Sequence, residues 1–269
     1  MSNAPGSKRI RVVPLVKAYP EPSQRYGETV CVAGVRTDVD PNCWVRLWPI
    51  DFRGLSFDEQ FHKYEEIELD VLPATNDRRP ESCRPVEGSI AATGRVFGTD
   101  RGWAARWQLI EPLLVPSMCE LMRMQESEQT SLGAFRPFDV RDVTFEPTKP
   151  YSERQLTALG QRNLFAQDRE MLERMPWAFK YKYRCADAAC NGHEQTIVDW
   201  EIAQAWRRWR RDLGDDESTK AAIRTKWLDE LCATDRDTVF FAGNMWQRPS
   251  QFLTLGVFWP PQGSQRVLL

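Results

Sequence analysis

Period-two alternation dominates the first part of the chain. Cys43–Ile50 sets Val45 and Leu47 on one side and Trp44, Arg46 and Trp48 on the other, the mark of a half-buried strand. Glu66–Leu72 alternates in the same way, while Ile10–Ala18 and Thr29–Arg36 are rich in β-branched residues. Ser89–Phe97 and Ala104–Leu114 read as a further hairpin turning at Gly98–Gly102. Tyr19–Glu28 is punctuated by Pro and Gly and reads as a loop, Phe57–Tyr64 as a short helix or a loop, and Asn76–Pro85 as a solvated connection. Five or six short strands with few helices over residues 10–114 predict a small β-barrel or a curved sheet.

After residue 115 the period lengthens. Pro116–Glu128 is predicted helical, with Ser117 as its cap and Glu120 three residues on, a capping box. Phe138–Phe145 reads as a strand, and Glu146–Ser152 as a linker, which divides the chain into a β-rich domain, 1–147, and a helix/strand domain, 148–269. A helix is expected from Ser152 to about Glu173, then a strand over Trp177–Arg184. In Val198–Leu213 the apolar residues Ile202, Trp206, Trp209 and Leu213 form one helical stripe, closed by Gly214 as a C′ glycine. Ser218 caps a helix over Thr219–Cys232, and Thr238–Ala242 with Phe252–Trp259 form a closing hairpin. The expected class is α+β: a β-rich N-terminal half, a small barrel or curved sheet, and a mixed α/β C-terminal half.

The densest chemistry lies in Tyr181–Glu201. Cys185, Cys190 and His193 fall within nine residues, and thiolate and imidazole are good zinc ligands. The expected cofactor is one zinc ion, with Cys232 as fourth ligand; Glu194 or a water are the alternatives, and a water would leave the open position that catalytic zinc needs. With only His62 and His193 in the chain and no clear general base, a structural role outweighs a catalytic one. The plainer alternative is two free cysteines and a capping histidine. A metal loop set between a strand and a helix has the outline of a treble-clef or knuckle-type zinc site.

Basic residues surround this loop. Trp200, Arg207 and Arg211 fall together opposite the apolar stripe, and Lys180, Lys182 and Arg184 share one side of the incoming strand. Together they form a candidate nucleic-acid surface that holds phosphates and stacks a base. Against it stands an ordinary solvated face with Trp200 packed on the other half of the chain. The Trp44–Arg46–Trp48 face can also stack bases, though it equally fits the outer side of an amphipathic sheet. Asp199 and Glu201 suit a first helical turn better than a metal-dependent active site.

Composition narrows the partners. A net charge of −2 supplies no global field toward nucleic acid, so any such surface is local. No apolar run of 18 residues is present, so no membrane span is expected, and seven scattered cysteines without a leader pattern suit a reducing cytoplasm. The expected function is binding of DNA or RNA. The rivals are a metal-dependent hydrolase or nuclease using the same cysteine cluster, and a protein-interaction module whose tryptophans meet a partner.

The runs AYPEPSQRYGETVCVAG, WVRLWPIDFRGL, KYRCADAACNGH with VDWE, and FFAGN with FLTLGVFWPP resemble those of uncharacterised bacterial proteins across most of the chain. The resemblance implies a bacterial, cytoplasmic protein and carries no named activity. A DNA-repair, mobile-element or phage-defence setting is the expectation it suggests.

Overall fold

The alternating segments of the N-terminal half close on themselves. Strand β1 (Lys8–Lys17) pairs antiparallel with β3 (Gly27–Arg36) on one side and with β5 (Glu65–Pro73) on the other. Strand β3 pairs with β4 (Cys43–Ile50), β4 runs parallel to β6 (Ser82–Pro85), and β6 returns antiparallel to β5. The circuit β1-β3-β4-β6-β5-β1 is a closed five-stranded barrel, with β2 (Glu21–Ser23) added on β3 and β7 (Ala91–Val96) on β5. This computed structural model describes residues 5–23, 27–55, 59–75, 77–153, 156–157 and 173–263. Inward positions of the barrel strands, among them Ile10, Val12, Val32, Leu47, Ile67 and Leu69, fill the lumen with β-branched and leucine side chains.

The second sheet has six strands in the order β8 (Leu132–Phe135), β12 (Val239–Met245), β13 (Arg248–Phe258), β11 (His193–Ile197), β10 (Trp177–Cys185) and β9 (Pro137–Pro147). Helix α1 (Asp100–Ile110) leaves the barrel. Helices α2 (Met118–Glu128), α3 (Trp200–Leu213) and α4 (Asp216–Arg224) serve the second sheet, and α4 runs on into a π-helical turn, Thr225–Glu230. One face of that sheet buries Tyr181, Tyr183 and Phe240 with Ile202 and Trp206 of α3 and Ile223 and Trp227 beyond it. The stripe predicted on α3 therefore packs as expected over its first two turns, while Leu213 at its end is exposed.

The other face meets the barrel. Val13 and Leu15 of β1, Ala33 and Val35 of β3, and half-buried Trp44 of β4 form one apolar cluster with Trp107 of α1 and with Phe241, Leu255 and Phe258 of the second sheet. Trp44 and Phe241 meet edge to face at 5.8 Å. Beside them Arg46 is buried and donates to the carbonyl and hydroxyl oxygens of Ser131 at 2.9 and 3.2 Å. Glu81 accepts from the Ser131 N–H at 2.9 Å, from its hydroxyl at 2.8 Å, and from the Leu132 N–H. A Cβ at Gly243 would stand 2.7 Å from Leu255 Cδ1, 2.9 Å from Leu132 Cδ2 and 3.2 Å from an Arg46 guanidinium nitrogen, so a larger residue there would displace the side chains that pack around Arg46. The Trp44–Arg46 part of the suspected base-stacking face is thus the seam between the halves.

Several expectations change. Ala104–Ile110 is helix, not strand, with Ala104, Trp107 and Ile110 buried at a spacing of three; a 3-10 turn, Glu111–Leu113, follows, and Leu114 bridges to Ala134. Leu132–Phe135, unassigned from sequence, is a strand of four buried residues. Tyr19–Glu28 contains β2. Helix α4 is capped by Asp215, which accepts from the Ser218 N–H, rather than by Ser218. Ser117 caps α2 as predicted, accepting from the Glu120 N–H at 3.0 Å, while the Glu120 carboxylate turns to Arg123. The Glu146–Ser152 segment does not separate the sheets, because β8 and β9, both before residue 148, belong to the six-stranded one; Thr148 is held to Pro176 and Met175. The helix expected over Ser152–Glu173 and the start of Phe57–Tyr64 lie largely outside the described residues.

The seam makes a direct prediction. Glu81→Ala leaves two buried backbone N–H groups and a hydroxyl without their acceptor, which costs about 3 kcal/mol in urea denaturation. A loss below about 1 kcal/mol would mean that water replaces the carboxylate at no structural cost.

Candidate metal centre

Antiparallel pairing of β10 with β11 brings the ends of the cysteine loop together, with Tyr183 opposite His193. Between them the chain turns tightly: the Cys190 N–H donates to the Asp187 carbonyl at 3.0 Å and the Ala189 N–H to the Asp187 carboxylate at 2.9 Å. Gly192 sits at φ +101°, a conformation that side-chain-bearing residues avoid. The Cys185 and Gly192 amides both point at Cys190 Sγ, at 3.4 Å each, and Arg184 donates to the Cys190 carbonyl at 2.9 Å.

The fourth member comes from α2. Cys119, in its first turn, stands with Sγ 3.5 Å from Cys185 Sγ and 3.6 Å from His193 Nε2. His193 Nε2 is 3.3 Å from Cys190 Sγ and 3.4 Å from Cys185 Sγ, and all four donor atoms lie within 4.8 Å of one another. Bond lengths of about 2.3 Å to sulfur and 2.0 Å to nitrogen in a tetrahedron separate sulfurs by about 3.8 Å and sulfur from nitrogen by about 3.5 Å. The group can therefore hold a metal ion with little movement. Arg123 of α2 pairs with Asp187 of the loop at 2.7 Å, tying the helix to the loop and holding the Asp187 carboxyl below its usual range. Burial pushes the Cys185 thiol up, but hydrogen bonds from the Asp187 and Cys119 amides and from His193 outweigh it and bring it to about 6. Burial and the Cys185 neighbour push Cys119 up to about 12.

Cys232, the fourth ligand expected from sequence, is elsewhere. Its thiol donates to the Trp227 carbonyl at 3.4 Å, within the apolar core. It closes a helical turn and has no part in the metal group. Glu194, the other protein alternative, points the opposite way, to Lys180 and Lys182. Nothing local marks Cys119: it lies 66 residues before Cys185, and only the packing of Met118 and Leu121 of α2 under the second sheet brings it in.

The predicted basic residues separate into two places. Lys180, Lys182 and Arg184 do alternate outward along β10, as expected, while Tyr181 and Tyr183 face the core. However, Lys180 pairs with Glu146 at 2.6 Å and Glu194 at 3.1 Å, Lys182 with Glu194 at 3.5 Å, and Arg184 serves the cysteine loop. Trp200 packs against Tyr19 at 5.8 Å and Phe52 at 6.1 Å, on the barrel side. Arg207 pairs with Glu173 at 2.6 Å, and Arg211 is largely exposed beside Asp212. These residues do not form one surface.

With this geometry in hand, family models match nearly the whole chain. A domain of unknown function (DUF8757) matches residues 115–269, more than half of the sequence, and the chain belongs to that family. A second domain of unknown function (DUF8758) matches residues 8–112, the barrel and the whole of α1. No curated protein matches. The two matches meet between β7 and β8, where the chain passes from one sheet to the other.

The ligand assignment separates two cysteines. Cys119→Ser should lose most bound metal and melt at a lower temperature, because metal binding is coupled to folding. Cys232→Ser should keep its full metal content by elemental analysis. Equal metal loss in both variants would discard the group as drawn.

Proposed function

We propose that this protein binds nucleic acid at one end of the seam and that its cysteine–histidine group holds a structural zinc ion. Three thiolates and one imidazole are the donor set of closed, structural zinc sites, and four protein ligands leave no open position for a bound water. That favours a staple over the metal-dependent hydrolase.

One observation carries the binding reading. Of eleven tryptophans, only Trp48 and Trp246 are exposed, at 38% and 43%. Trp44 of β4 faces Phe241 of β12 and Arg46 neighbours Gly243; Trp48 follows two residues on along β4, and Trp246 sits in the turn that follows β12. Arg79 donates to the Asn244 carbonyl at 2.7 Å, which fastens its loop, with exposed Arg78, to the same hairpin; Arg248 is exposed on the hairpin's other arm. Exposed indoles together with the exposed arginines Arg78 and Arg248 suit unstacked bases and their phosphates. The barrel supports the reading by analogy of fold. Five-stranded Greek-key barrels of the OB type bind oligonucleotides across their second and third strands. In this chain those strands are β3 and β4, and the second sheet covers part of their outer wall, which leaves the rim.

The test is anisotropy of labelled single- and double-stranded DNA and RNA at several salt concentrations. Trp48→Ala and Trp246→Ala should each weaken single-strand binding by about 1–3 kcal/mol and duplex binding less. Arg78→Ala/Arg248→Ala should flatten the salt slope by about one to two units. Lys182→Ala/Arg184→Ala should change little. Wild-type affinity no tighter than about millimolar at low salt would reject the reading and turn attention to a protein partner for the same indoles.

A further inference from the structure

We infer that the opposite part of the seam is a site for a phosphate-bearing ligand, formed by Lys17, Lys63 and Arg106 around Tyr64. This does not rest on the nucleic-acid reading.

Here the halves are joined through the main chain. Ala18, after β1, bridges to Asp199, and the Tyr19 N–H donates to the Val198 carbonyl at 2.7 Å. Asp199 is buried; it caps α3 by accepting from the Glu201 N–H at 3.1 Å and lies 3.7 Å from Lys63 Nζ. Glu201 reaches the same ammonium at 3.1 Å from an exposed position. The other two cations have no such partner. Lys17 Nζ donates to the Phe61 carbonyl at 3.2 Å and lies 4.1 Å over the Phe52 ring, and no carboxylate of the described residues comes within 4 Å of it. Arg106 lies 3.8 Å over the Tyr64 ring and 5.0 Å from Trp103, with its Nε donating to the Phe97 carbonyl at 2.8 Å, again without a carboxylate partner. Glu65, more distant, is held by the His62 N–H at 2.9 Å.

Three cations thus face two carboxylates in contact, one positive charge in excess, and two when Glu201 turns out to solvent. Partly buried charge without a counterion is unfavourable. A phosphomonoester carries about −1.5 to −2 at pH 7 and three strong acceptor oxygens, which matches that excess. Burial, and then the neighbouring Lys63 charge, bring the Lys17 ammonium down to about 8, in keeping with a cation that lacks its anion. Tyr64 itself is held at φ +64°, a strained conformation for a bulky residue, next to three successive positive-φ residues in Arg101–Trp103. Phe52 under Lys17, with Trp200 6.1 Å from it, offers an aromatic edge beside the anion site. A phosphate carried on a flat ring, such as a nucleoside monophosphate, fits this better than the bare ion.

Titration calorimetry on the full chain with inorganic phosphate, adenosine monophosphate, and short oligonucleotides with and without a 5′-phosphate tests this. Binding of the phosphate probes is expected, with adenosine monophosphate tightest; equal affinity for inorganic phosphate would still support the anion site without the aromatic edge. Tight binding only by the 5′-phosphorylated oligonucleotide would support it with a strand end as the source. Lys17→Met should weaken binding about tenfold without lowering the melting temperature, because it removes a cation that has no carboxylate partner. Glu201→Gln should strengthen binding severalfold by removing the internal competitor. Trp48→Ala should leave adenosine monophosphate binding unchanged, which separates this site from the rim. No heat with any phosphate probe at about 5 mM, or wild-type affinity in both Lys17→Met and Glu201→Gln, would overturn the inference.

Discussion

A closed barrel has an outer wall as well as a lumen, and here part of that wall is apolar. Val13 and Leu15 point away from the lumen of their own strand, as do Ala33, Val35 and Trp44 of the next two. Left in water they would form a patch large enough to aggregate. The second sheet covers them, at roughly 2 kcal/mol for each large side chain that loses its water. Apolar contact alone does not fix how two sheets align. Arg46 and Glu81 do, because both find their hydrogen-bond partner in Ser131, across the seam. A buried arginine gives specificity more readily than stability, and here the consequence is a single register along the seam. That register decides which side chains emerge at its two ends.

The metal group depends on the same sheet from its other side. Cys185, Cys190 and His193 are local, and the hairpin of β10 and β11 brings them together without help from the rest of the chain. Cys119 arrives only because Met118 and Leu121 are buried beneath that sheet and Arg123 reaches Asp187. A metal bound by all four closes a loop of more than sixty residues between α2 and β10, and closing long loops constrains the unfolded chain most. The three local members of the group were legible from spacing. The fourth was not, since ligand identity across such a gap is a property of tertiary packing. Cys232 was a reasonable reading of sequence position, and its thiol is instead used within its own helical turn.

The same division between local and tertiary causes runs through the fold. Alternation in β1, β4 and β5, the cap at Ser117 and the stripe of α3 were all readable because each is set by neighbours in sequence. Misreading α1 as a strand follows from a run in which spacings of two and three both occur. More instructive is the Trp44–Arg46–Trp48 face. Alternation put Trp44 and Arg46 together on the side away from the lumen, but not what lay against that side, and the strand's pairing turns irregular beyond Leu47, before Ile50. Two of them turn out to be seam and one is surface, a distinction that only the second sheet makes.

Charge follows the same logic. The row Lys180, Lys182, Arg184 looks basic along one strand, yet the neighbouring strands bring Glu146 and Glu194 to it, and the face is close to neutral. Cross-strand pairing hides such compensation from a reading along the chain. Lys17 and Arg106, which have no carboxylate partner among the described residues, rest instead on main-chain carbonyls and aromatic rings of the barrel half. Aromatic rings accompany the cations at both ends: Trp48 and Trp246 at one, Phe52 and Trp200 at the other. A ligand at either end would be held as much by ring contact as by charge, which is the balance that an acidic protein needs if it is to bind an anion at all.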